Sequence, residues 1–80
     1  MAKRRLMFTF TEETITEPVI YNLAQQFSVV TNIRQADLTE NKGWIVVEIE
    51  GKDKDIEDGI AWAISKGIRV DLLSDKAAPT

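Results

Sequence analysis

The chain switches between two hydrophobic periods, and the order of the switches sets out its elements. From Arg5 to Phe10, Leu6, Phe8 and Phe10 alternate with Arg5, Met7 and Thr9, the period-2 pattern of a half-buried strand. A polar loop, Thr11-Glu12-Glu13-Thr14, follows. From Glu17 to Phe27 the period lengthens, and Val19, Ile20, Leu23, Ala24 and Phe27 share one face of a helix. Thr16 is placed to cap that helix, and Pro18 sits in its first turn, where a missing N–H does no harm.

A second strand is predicted over Val29 to Leu38, with irregular parity. Val29 and Ile33 agree, whereas Ala36 and Leu38 belong to the opposite set. Either a bulge shifts the register or both faces are partly covered. Glu40-Asn41-Lys42-Gly43 is a hairpin turn signal. The third strand, Trp44 to Glu50, turns Ile45, Val47 and Ile49 inward and Trp44, Val46, Glu48 and Glu50 outward. Gly51 ends it, and Asp53 or Asp55 is placed to cap a second helix running to Lys66. Ile56, Ile60, Ala63 and Ile64 form that helix's apolar stripe, and Gly67 suits its C-terminus. Trp62 falls off the stripe and is expected to fold over the domain edge. Ile68 to Leu73 makes the last strand, burying Ile68, Val70 and Leu72, and residues 74–80 form a frayed tail.

This order, β-α-β-β-α-β, predicts a ferredoxin-like α+β fold: a four-stranded antiparallel sheet with two helices on one face. The other face is left open. Met7, Trp44 and Val46 fall on it, and an apolar set exposed on a small protein predicts a covered surface. These three residues are the expected contacts of a homodimer.

Eighty residues make one domain, spanning 1–80 with its core over about 4–73. The composition, 44% hydrophobic and 29% charged, is that of a globular chain. There is no cysteine and no histidine, which excludes disulfides, thiolate metal sites and the commonest general base. The net charge of −3 argues against nucleic acid as a partner. The one basic cluster, Lys3-Arg4-Arg5, reads as a solvated flank of the first strand. No apolar run approaches the roughly 18 residues of a membrane span, and the N-terminus lacks a secretory apolar stretch, so a cytoplasmic location is expected. Glu12-Glu13, Glu48/Glu50 and Asp53/Asp55 do not converge as a cation site would require, and they read as solvated charge. No metal, cofactor or catalytic residue is expected. An enzyme would have to rely on carboxylates, lysine or Tyr21, and no paired geometry is visible for that.

Several pieces, in this order and spacing, carry a family resemblance. They are Arg5-Leu6-Met7-Phe8, Glu17-Pro18-Val19-Ile20 with Leu23-Ala24 and Phe27, Asn32-Ile33, and Val46-Val47-Glu48-Ile49-Glu50-Gly51. Ile60-Ala61-Trp62 and Gly67-Ile68-Arg69-Val70-Asp71-Leu72-Leu73 complete the set. Together they resemble the NIL domain, named for an Asn-Ile-Leu motif in its second strand. That domain lies at the C-terminus of ATPase subunits of bacterial methionine-import ABC transporters. The resemblance implies an ACT-like ferredoxin fold, pairing into dimers, and methionine binding that restrains the ATPase. Arg34 stands where the motif has Leu, and Thr39-Glu40-Asn41-Lys42-Gly43 is a short second turn. No ATPase domain lies within these residues, so a regulatory role would act on a separate protein partner.

The expected ligand contacts are Asn32, Ile33, Arg34 and Trp44. The Asn32 amide both donates and accepts, which suits an amino-acid backbone, although such a side chain also bonds its own strand. Arg34 suits a ligand carboxylate, a solvated position or an ion pair across a dimer. Trp44 offers an aromatic surface to a thioether.

Overall fold

The computed structural model describes residues 1–11 and 18–74. The elements are β1 (Ala2–Phe10), α1 (Val19–Phe27), β2 (Val30–Leu38), β3 (Gly43–Gly51), α2 (Asp53–Ser65) and β4 (Arg69–Ser74). The strands form one antiparallel sheet in the order β2-β3-β1-β4, which is the ferredoxin-like arrangement. The expected Thr16 cap, the Glu12-Glu13 loop and the tail beyond Ser74 lie outside the described residues.

The central ladder pairs β1 with β3 from Ala2↔Gly51 to Phe10↔Gly43. It puts Leu6, Phe8 and Phe10 on one face with Ile45, Val47 and Ile49, all buried. Val19 and Leu23 of α1, Ile56 and Ala63 of α2, and the flanking Val29 and Ile68 complete that core. The opposite face carries Lys3, Arg5, Met7 and Thr9 against Glu50, Glu48, Val46 and Trp44. The irregular parity of β2 is a bulge. Ile33 pairs with Val47 and Gln35 with Val46, so Arg34 is the extra residue.

Both helix ends of the first half differ from a side-chain cap. Pro18 occupies the N-cap of α1, and Ser28, in the left-handed region at φ 54°, ends it. Helix α2 is capped by Lys52 with no side-chain hydrogen bond; Asp53 and Asp55 sit in its first turn instead. Asp53 is there held by Arg4, whose Nη2 lies 3.1 Å from Asp53 Oδ1 and 3.5 Å from Glu57 Oε2. At the other end, Ile68 N–H donates to Ala63 O and Gly67 N–H to Ile64 O, a Schellman closure with Gly67 at φ 88°.

Two buried positions expected from the sequence are exposed. Ile64 is 55% exposed, because it lies about 80° around α2 from Ile56 at 100° per residue, while Gly59 takes the place beside Ile56 and Ala63. A Cβ at Gly59 would meet Leu23 Cδ1 at 3.0 Å, so the missing side chain lets α1 come close. Leu72 is 58% exposed although it shares the helix-side face with Val70, because β4 is an edge strand. Trp62 does fold over the edge, half-buried against Phe27 at 5.8 Å between ring centroids and under Lys66 Nζ at 5.1 Å.

Gly67→Ala places a Cβ in a conformation that costs an L-residue about 1–2 kcal/mol. Urea unfolding should show a lower midpoint with an unchanged slope; an unchanged midpoint would contradict the closure described.

Candidate functional site

The four sequence-predicted contacts do not meet in one chain. Alternation along β2 puts Asn32 and the bulged Arg34 on the open face and Ile33 on the helix side. Trp44 lies on the open face opposite Asp37, four residues along β3 from Glu48, the partner of Asn32. At about 3.3 Å per residue that is roughly 13 Å away, too far for Trp44 to share a small ligand with Asn32.

Among the described residues, a depression lies at each of these locations. On the open face, Asn32 lines a hollow of about 140 Å³ with Lys3, Val30, Glu48 and Glu50. Lys3 and Glu50 are cross-strand neighbours there and make no ion pair among the described residues. At the hairpin end, Trp44 lines a wider groove of about 510 Å³ with Thr9, Phe10, Thr11, Asp37, Thr39, Lys42 and Gly43. On the helix side, Ile33 lines an apolar groove of about 240 Å³ whose other walls include Tyr21, Leu38 and Ile45.

Glu48 is the electrostatic centre of the open face. Its Oε2 accepts a hydrogen bond from Arg5 Nη2 at 2.7 Å, and Arg34 Nη1 stands 4.0 Å from Oε1. The Glu48 side chain is only 15% exposed, so the reading of Glu48 as simply solvated charge fails. The Arg5 hydrogen bond holds its carboxyl below the usual glutamate range against an opposing effect of burial, helped by the charges of Arg34, Arg5 and Lys3. Arg34 is therefore neither free nor fully engaged, being half exposed and loosely held by Glu48.

Met7, Trp44 and Val46 do lie together on the open face, each half-buried. Tyr21, Ile33 and Leu38, each at least 50% exposed, gather on the helix side of β2; Val30 is exposed on the open face, and Met1, Ile64, Leu72 and Leu73 are exposed away from this group. Tyr21 and Leu38 were not singled out as a surface by the sequence, because Tyr21 falls outside the apolar stripe of its helix and the parity break in β2 hides which face Leu38 takes. Among the described residues no group of carboxylates is placed to hold a metal, and no helix is long and apolar enough to cross a membrane.

The profile of the NIL domain matches residues 4–71. Among solved structures, the chain is similar to the C-terminal domain of an ABC transporter ATP-binding protein from Enterococcus faecalis. The TM-score is 0.78 at 16% identity, covering 88% of this chain and 82% of that one. It is also similar to the de novo designed protein Foldit4, with TM-score 0.58 at 11% identity over 95% of this chain and 97% of that one. Likenesses at these identities establish the fold alone. No curated protein matches the sequence.

Because the folded Glu48 carboxyl titrates below its unfolded value, its contribution to stability is present above about pH 4.3 and is lost as pH falls through the lower folded value. Glu48→Gln should flatten the acid limb of a stability–pH curve measured by urea unfolding. The same acid slope in both proteins would show that Glu48 carries no such linkage.

Proposed function

The chain belongs to the NIL domain family, and we propose that it is a non-catalytic regulatory module that works as a homodimer and senses methionine or a related small amino acid. The observation that carries this reading is the hollow around Asn32. A zwitterion brings one ammonium and one carboxylate, and each needs a polar partner once water is displaced. Lys3 supplies the cation for the carboxylate, Glu50 the anion for the ammonium, and the Asn32 amide serves either. Val30, 67% exposed at the rim, offers apolar contact to the ligand side chain in place of Trp44. Glu48 is occupied by Arg5 and Arg34 and holds the floor rather than the ligand. The module passes its signal to the protein it regulates with no step of covalent chemistry in this chain, and we assign it to the cytoplasm.

A second reading is a ligand-free docking module for another protein. The helix-side groove favours it, since Tyr21, Ile33 and Leu38 present apolar surface beside a free sheet edge.

Calorimetry with free methionine and its sulfur relatives separates the two. The sensor reading expects binding, weakened by roughly 1–3 kcal/mol in Asn32→Ala, which is about five- to 150-fold in Kd. No heat at millimolar ligand removes the sensor reading and leaves the docking module. Equal binding by Asn32→Ala would move the site away from this hollow.

A further inference from the structure

The groove at the hairpin end takes no part in the function proposed above. Its volume of about 510 Å³ is more than three times the 140 Å³ of the Asn32 hollow. Trp44, half-buried on the open face, has Asp37 of β2 directly across on one side and Thr9 of β1 on the other. Opposed residues on one face have Cβ atoms about 4.5–5.5 Å apart, so the Asp37 carboxylate lies within reach of a group resting on the indole. Asp37 is exposed and has no hydrogen bond or ion pair among the described residues. Lys42 is fixed at the rim by its backbone: its N–H donates to Thr39 Oγ1 at 3.2 Å, and its carbonyl accepts from that hydroxyl at 2.9 Å. Its ammonium, like the Asp37 carboxylate, has no ion pair among the described residues. One carboxylate and one ammonium, each unpaired, therefore line a groove walled by an indole.

This combination selects a ligand chemistry. A carboxylate beside an aromatic ring favours a cation, and a flat one most of all. A guanidinium lays its face on the ring and turns two N–H groups to the carboxylate, whereas a compact ammonium is more strongly hydrated. A purely anionic ligand meets the Asp37 charge, and a purely cationic one leaves Lys42 facing a like charge. A ligand with a guanidinium at one end and a carboxylate at the other satisfies both. We propose that this groove binds a free ω-guanidino carboxylic acid of the arginine type, with its guanidinium on Trp44 and Asp37 and its carboxylate on Lys42. The site is separate from the Asn32 hollow and does not rest on the sensor reading.

The chain has two tryptophans, so a nitrogen–proton NMR spectrum carries two indole N–H signals. Trp44 reports on the groove, and Trp62, packed against Phe27, is the internal control; Trp62→Phe assigns the pair. Titration with millimolar L-arginine should move the Trp44 signal and leave that of Trp62. Citrulline, the uncharged counterpart, should bind at least about tenfold more weakly, and Asp37→Asn should weaken arginine binding by a similar factor. Agmatine, which lacks the carboxylate, and Lys42→Ala should each cost about two- to fivefold, the size of an exposed ion pair. Asn32→Ala should bind arginine as the unaltered chain does, so this result and the methionine calorimetry stand or fall separately. An unmoved Trp44 signal, citrulline binding as tightly as arginine, or an unchanged affinity in Asp37→Asn would each overturn the proposal. Agmatine binding as tightly as arginine, with Lys42→Ala unchanged, would overturn the free acid as the ligand and point to an arginine side chain of a partner protein.

Discussion

The nine-pair ladder between β1 and β3 is the constraint from which the rest of the structure follows. A strand alternates its side chains with a period of two, so a slip of one residue would exchange every buried position for an open one. In the observed register Leu6 stands against Val47 and Phe8 against Ile45 under the helices, while Arg5 stands against Glu48 on the other side. The apolar core and the charged floor of the open face are thus two sides of the same pairing. Neither can be moved without the other.

What the ladder does not protect is the flank. The helices seat against the central strands, and α1 approaches α2 closely where Gly59 leaves room for Leu23. β2 consequently receives partners along one edge only, from β3, and its helix-side residues Ile33 and Leu38 stay exposed. A strand with apolar side chains on both faces and an unpaired edge is an unusual surface for a small domain, and it is where Asn32, Arg34 and Asp37 are also found. In the function proposed above, ligand recognition draws on this strand, at the Asn32 hollow beside the bulge at Arg34.

Most of the fold was legible in the sequence, because each core strand alternates cleanly and Gly67 marks the end of α2 at the position where its left-handed φ is needed. The parity break in β2 was legible as well, and the bulge resolved it. Tertiary contact was less visible. The period alone assigned Ile64 and Leu72 to the core, but coverage of an edge strand depends on where the helices sit. Asn32 and Trp44 look close in a list of outward residues, yet their rows on the sheet are separated. The engagement of Glu48 with Arg5 depends on pairing residues 43 positions apart in sequence, which no local pattern records. The exposed cluster of Tyr21, Ile33 and Leu38 joins a helix and a strand, so it too appears only once α1 is placed over the sheet.

If the Asn32 hollow is the working site of this domain, the amides around it should respond to ligand. Amide hydrogen exchange followed by NMR with and without free methionine tests this directly. The account predicts that the β2 amides about Asn32 exchange more slowly with methionine, while the amides at the Phe8–Ile45 end of the β1–β3 ladder remain unchanged. Exchange along β2 that millimolar methionine leaves unaltered, or ligand-dependent protection at β4 instead, would contradict it.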